Sequence, residues 1–208
     1  YFNLCDYDRF LFAQELQTPN RWKNLNSFNL DLAKELEKLH VHKKHPYDQT
    51  LRNGTQTLGN LFANKNYKYK CIFELKNLFD KAIQKYIKKL NYNDEHPFLK
   101  YIPSSINIFA SCSISLNNGG FHINHFHPEG WLSSVYYVSL PDTLDKKGKS
   151  KQGWLKFGEP THNKYNLLPD KWVQPKVGLL VLFPSYFWHG TEPFQSNENR
   201  LTVAFDAK

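Results

Sequence analysis

Hydrophobic side chains recur along this chain with two different periods, and the change between them comes near residue 105. Leu75, Leu78, Phe79, Ala82, Ile83, Tyr86, Ile87 and Leu90 fall at helical spacing. Such a stripe predicts an amphipathic helix whose apolar side lies on another layer. Its other side carries Lys76, Lys81, Lys85, Lys88 and Lys89. A shorter stripe of Leu32, Ala33, Leu36 and Leu39 predicts a helix from about Asn29, with Asp31 well placed in its first turn. Upstream, residues 1–26 show no clear period, and Asp8–Leu16 predicts at most a short helix. His40, His42 and His45 follow the second stripe among lysines and read as a solvated surface, closed off by His45-Pro46. Residues 50–62, TLRNGTQTLGNLF, are rich in Gly, Thr and Asn and read as a loop. Without a Walker pattern, they are poor evidence for a phosphate site.

From Ser105 the period drops to two. In SINIFASCSISL the even positions Ile106, Ile108, Ala110, Cys112, Ile114 and Leu116 are apolar. The odd positions, Phe109 excepted, are small and polar, as in a strand with two unlike faces. The apolar face is expected to receive the helix, and the small polar face to line a cavity. Residues 131–140 predict another strand, stopped by Pro141, with a polar loop from Asp142 to Gln152 and then GWLKFGEP. Residues 161–176 read as a loop, Val177–Phe183 as an apolar strand stopped by Pro184, and RLTVAFD as the last strand. In that strand Leu201, Val203 and Phe205 point one way and Arg200, Thr202 and Ala204 the other. Helices first and strands afterwards predict an α+β fold with an antiparallel sandwich or barrel. We expect a single domain over 1–208, with 1–100 as mainly helical support and 101–208 as the β core.

Composition narrows the class. Of 208 residues, 40% are hydrophobic and 16% aromatic, which suits a packed globule. No apolar run is long enough to cross a membrane, and no signal peptide heads the chain. Methionine is absent, so the sequence reads as part of a longer protein. Cys5, Cys71 and Cys112 are odd in number and lack C-x-x-C spacing. They predict free thiols in a reducing, cytoplasmic setting. The net charge of +8 resides largely on the helical lysines. A solvated helix face accounts for it and argues against a nucleic-acid partner.

The candidate chemistry gathers in GGFHINHFHPEGWLSSVYYV, residues 119–138. On an extended backbone His125 and His127, two apart, project to one side, close enough to share a metal ion. Imidazole is the commonest protein ligand for zinc, copper and iron. A distant third ligand is expected at His189, within VGLLVLFPSYFWHGTEPF. An isolated H-x-H is more often structural. Here it stands between β segments, with a lone histidine following a later apolar strand. Arg200 beside Thr202, opposite the apolar face, suits an anion. His122 is left between the rim of a substrate mouth and solvent.

Together, the H-x-H, the distal histidine and an arginine eleven residues beyond it resemble the iron(II)- and 2-oxoglutarate-dependent oxygenases. The closer likeness is to the 2-oxoglutarate/iron(II) oxygenase family found in bacterial and marine viral proteins, distantly related to prolyl hydroxylases. GGFHINHFHPEGWLSSVYYVSLP, GWLKFGEP, LVLFPSYFWHGTEPF, RLTVAFD and RNGTQTLGNLF carry it, over roughly residues 50–206. The resemblance implies a double-stranded β-helix, a distorted jelly roll, with the N-terminal helices packed on one sheet. It implies iron(II), 2-oxoglutarate as cosubstrate and O2, with hydroxylation of an amino acid, peptide or small metabolite and release of succinate and CO2. By position, His125 and His189 are metal ligands, and His127 stands where the family usually has a carboxylate. Arg200 and Thr202 would hold the far carboxylate of 2-oxoglutarate. Tyr137, with Ser133 on its face, matches a cosubstrate tyrosine, and one of Tyr136 and Tyr137 is core. Two rivals remain. One is a cupin-type or zinc three-histidine protein, although Tyr186 stands where a cupin prefers Gly. The other is a degenerate binding module displaying Trp131, Trp154, Trp172 and Trp188. Neither rival requires a buried cation at Arg200.

Overall fold

A computed structural model describes residues 4–42, 44, 47–63, 66, 68–144, 150–162 and 164–208. The proposed break at His45-Pro46 and residues 145–149 of the expected loop lie outside the described residues. The helical stripes form the helices they predict: α2 spans Leu25–Glu37 and α3 spans Lys70–Lys89. The first begins four residues earlier than the apolar pattern because Asn24 and Ser27 cap each other reciprocally. At the N-terminus the expected helix shrinks to one turn, α1 (Tyr7–Phe10), and the chain turns at once into strand β1 (Phe12–Glu15).

Among the described residues nine strands make two antiparallel sheets. Beyond β1 they are β2 (Leu51–Gln56), β3 (Ile108–His122), β4 (Leu132–Ser139), β5 (Leu155–Phe157), β6 (Lys171–Val173), β7 (Leu179–Pro184), β8 (His189–Thr191) and β9 (Arg200–Ala207). The larger sheet has the order β1-β7-β4-β9-β3-β2 and the smaller β6-β5-β8. Thus the segment expected to be a loop at 50–62 supplies an edge strand, and the loop expected over 161–176 contains β6. The helical half adds two edge strands to the sheet it supports, covering edges that would otherwise invite pairing.

Register decides which face is which, and it reverses one expectation. On β9, Leu201, Val203 and Phe205 face the helices; Phe79 of α3 packs on Phe205 and on Tyr136 of β4. Opposite these residues on β3 stand Ser115, Ser113 and Ser111. The small polar face of β3 therefore looks outward, toward the helical half, and its apolar face lines the interior of the roll. Two of these outward serines, the buried ones, are partnered. Ser111 Oγ donates to Asn60 Oδ1 at 2.5 Å, and Ser113 Oγ lies 3.0 Å from His40 Nε2. His40 is thus not a solvated surface residue. Its Nδ1 also lies 2.8 Å from Thr55 Oγ1, and burial lowers its pKa.

Candidate active site

Two sheets facing one another enclose a cavity of about 360 Å³, lined among others by Ala110, Cys112, Ile114, Leu155 and Phe183. One mouth carries the histidines. Strand β3 ends at His122, and His125 and His127 follow it in an irregular segment rather than on a regular strand. The segment is held by backbone pairing instead. His125 and His189 exchange N–H···O bonds of 2.9 Å, and the His127 N–H donates to the Ser185 carbonyl at 2.9 Å. Gly190 permits this approach, because a Cβ there would strike Asn124 Oδ1 and come within 3.0 Å of the His122 carbonyl.

One ring nitrogen from each of His125, His127 and His189 lies within 4.8 Å of the other two, the one such cluster among the described residues. Each Nδ1 already faces an acceptor: Ile123 O at 2.7 Å for His125, Phe187 O at 2.9 Å for His189, and Asp206 Oδ2 at 2.9 Å for His127. This is the outer-shell pattern that fixes a metal-binding imidazole in one tautomer, with Nδ1 protonated and the Nε2 lone pair free. Burial, reinforced by the neighbouring imidazole of His127, pushes His125 down to about 4. Burial likewise holds His189 well below the ordinary value, with His125 next in effect. Neutral imidazoles are what a divalent metal needs. Glu129 is exposed and does not join the cluster.

Inside the roll, Arg200 is 1% exposed, and its Nε and Nη2 find no hydrogen-bond partner among the described residues. Its guanidinium carbon lies 5.1 Å from the Tyr137 ring centroid, and the fully buried Tyr137 hydroxyl makes no hydrogen bond of normal geometry, although Arg200 is close enough to oppose the rise that burial imposes on its pKa. Thr202, also 1% exposed, pairs with Tyr137 across β4 and β9, so all three side chains share the inner face. Tyr136 points the other way and donates to Asn29 Oδ1 at 2.7 Å, which makes it the core member of the tyrosine pair. A buried guanidinium and phenol with unmet polar atoms have the chemistry to pair with a carboxylate. Ser133 is on the inner face, but its hydroxyl is engaged: it donates to Asp206 Oδ1 at 2.6 Å and lies 2.8 Å from Ser185 Oγ.

Two further residues join the site. His122 lines the cavity with its Nδ1 3.0 Å from Thr50 Oγ1 and its backbone N–H on Thr191 Oγ1 at 2.8 Å. Asp206, not foreseen, continues the inward series Arg200, Thr202, Ala204. The alternation of RLTVAFD contains that signal, but only the pairing with Ser133 and His127 gives it meaning. The tryptophans form no common platform. Trp131 stacks on Phe98, Trp188 meets Phe126 edge-on, and Trp172 lies beneath Lys151.

A jelly roll with a three-histidine cluster at its mouth and a buried arginine within has the architecture of the double-stranded β-helix oxygenases. Residues 111–206 match the family described as "Putative 2OG-Fe(II) oxygenase". This stretch contains every cluster histidine and Arg200, and it is similar to the 2-oxoglutarate-dependent oxygenases, oxidoreductases that use iron(II). Solved structures share the fold over nearly the whole chain. The viral collagen prolyl hydroxylase of Paramecium Bursaria Chlorella virus-1 is 12% identical, with TM-score 0.60 over 98% of each chain. A Trichoplax adhaerens prolyl hydroxylase in complex with a hypoxia inducible factor peptide fragment is 12% identical, with TM-score 0.60 over 99% of this chain and 87% of that one. HygX from Streptomyces hygroscopicus, bound to nickel, 2-oxoglutarate and hygromycin B, is 10% identical, with TM-score 0.55 over 99% and 85%. No curated protein matches the sequence. No helix among the described residues is long and apolar enough to cross a membrane.

Proposed function

We propose that this chain is a single-domain hydroxylase that holds iron(II) on His125, His127 and His189 and anchors 2-oxoglutarate on Arg200. Bound together, iron(II), 2-oxoglutarate and O2 supply an oxidative decarboxylation that releases succinate and CO2 and hydroxylates the substrate. The protein's own part is positioning. Three Nε2 lone pairs converge because their Nδ1 atoms are committed elsewhere. Arg200 and Tyr137 donate to the far carboxylate of the cosubstrate, with Thr202 beside them. The apolar wall of Ala110, Cys112, Ile114 and Leu155 excludes water from the space between, which strengthens those charge-assisted bonds.

The observation that carries this reading is the buried Arg200 guanidinium, whose Nε and Nη2 have no hydrogen-bond partner among the described residues. A buried cation with no carboxylate to balance it is costly unless a ligand supplies one, and a zinc hydrolase or cupin-type site has no use for it. The substrate is an amino acid, peptide or small metabolite. Related folds hold a peptide fragment in one case and hygromycin B in another. A cytoplasmic setting accords with three free cysteines. The test is consumption of 2-oxoglutarate by purified, iron(II)-loaded protein, followed with and without a panel of amino acids and peptides. Turnover that disappears on chelation is expected. A protein that binds metal yet neither binds nor consumes 2-oxoglutarate would overturn the reading.

A further inference from the structure

The three histidines are not held alike. His125 and His189 rest their Nδ1 atoms on backbone carbonyls two residues away. His127 alone rests on a carboxylate, Asp206, whose side chain is 17% exposed and comes from a strand 79 positions further along. The Asp206 carboxylate is itself clamped. Ser133 donates to its second oxygen, and Ser133 and Ser185 share a hydrogen bond. The Ser185 carbonyl then accepts the His127 backbone N–H. The chain of contacts closes on itself, from the His127 ring through Asp206, Ser133 and Ser185 back to the His127 backbone. Gly130 lies against it, since a Cβ there would sit 2.5 Å from Ser185 Oγ and 3.6 Å from Asp206 Cβ.

We propose that Asp206, supported by Ser133 and Ser185, is a positioning residue that fixes the tautomer, orientation and donor strength of His127. This rests on the three-histidine reading above and extends it. Three neutral imidazoles bring no negative charge to a divalent ion. A carboxylate hydrogen-bonded behind one of them makes that imidazole more basic and places an anion close to the metal without taking a coordination position. Ser133, which the resemblance would assign to the cosubstrate, belongs to this support.

The test uses cobalt(II) and zinc(II) as probes on the full chain, with no turnover needed. Asp206→Asn keeps the shape, and its amide oxygen can still accept from His127 while Ser133 reverses its hydrogen bond. Asp206→Ala removes both oxygens. Loss of an outer partner costs on the order of 10–100-fold in metal affinity, so the alanine variant should fall in that range and the asparagine variant near its lower end. In the zinc form, the imidazole Nδ1–H resonance of His127 should shift in Asp206→Asn while those of His125 and His189 stay in place. That asymmetry separates positioning from a general loss of structure, which would move all three. Metal affinity of Asp206→Asn within twofold of the parent, or a common shift of all three resonances, overturns the proposal. His189→Ala is the control. If it binds cobalt(II) as tightly as the parent, the three-histidine site itself is wrong; if it loses the metal while Asp206→Asn does not, only the role of Asp206 fails.

Discussion

Replacing Arg200 by methionine should weaken 2-oxoglutarate binding and, at the same time, leave the cosubstrate-free protein at least as stable. The two effects have one cause. Arg200 is 1% exposed, with Nε and Nη2 unpartnered inside a mostly apolar wall. Without an anion it is a desolvated charge set against Tyr137, whose ring centroid lies 5.1 Å from the guanidinium carbon. Exchanging a buried charge for an apolar side chain of similar size is commonly neutral or stabilising by about 1–4 kcal/mol. With 2-oxoglutarate bound, the same guanidinium makes a charge-assisted pair secluded from water, and truncating one partner of such a pair costs about 2–5 kcal/mol. At about 1.4 kcal/mol per tenfold, that is roughly 30- to 4,000-fold in Kd. Calorimetric titration of 2-oxoglutarate into manganese(II)- or zinc(II)-loaded protein measures the first effect. Thermal unfolding of the metal-free protein measures the second. Metal affinity should be unchanged, because Arg200 does not touch the histidine cluster. A variant that binds 2-oxoglutarate like the parent while losing thermal stability would show Arg200 to be a structural residue and would refute the argument.

Three other expectations are accessible with single variants. His127→Ala should lose more metal affinity than the roughly 10–100-fold that removal of an outer partner costs, and His127→Asp should retain metal and 2-oxoglutarate turnover; equal metal affinity in the alanine variant would exclude His127 as a ligand. Burial lowers the pKa of His40 below its ordinary 6.5, so its contribution to stability is complete above about 6.5 and is lost as the pH falls toward the folded value; the melting temperature should therefore drop less between pH 7 and pH 5 in His40→Gln than in the parent, and an equal drop would contradict this. Cys5, Cys71 and Cys112 are all free, so titration under denaturing, non-reducing conditions should find three thiols, and a count of one would contradict the structure.

The sequence disclosed what depends on local pattern and concealed what depends on pairing. The stripe from Leu75 to Leu90 contains its own helix and its own buried face, and α3 follows it. His125, His127 and His189 were legible from spacing and from the apolar strand ahead of the last. The inward aim of Arg200 followed from alternation. Alternation alone cannot say which face of a strand turns inward when both are covered. On β3 the buried Ser111 and Ser113 look outward because Asn60, Phe62 and His40 satisfy them, and nothing within SINIFASCSISL announces that. Strand β2 was hidden for a different reason. LRNGTQ has loop composition, and Asn53 adopts φ 53° beside a register shift opposite the glycine pair of β3. Such an irregular edge strand is identified by its partner, not by its residues. Asp206 escaped notice because a terminal aspartate on a strand ordinarily faces water, and its role appears only when β9 is set beside β4.

The most direct test of the central claim is the fate of molecular oxygen. Iron(II)-loaded protein should be incubated with 2-oxoglutarate under labelled dioxygen, ¹⁸O₂, and the products weighed by mass spectrometry. Succinate carrying one labelled oxygen atom is expected from the parent, and none from His189→Ala and Arg200→Met at cosubstrate concentrations that saturate the parent. Absence of succinate from the parent, or succinate formed without label, would contradict that claim.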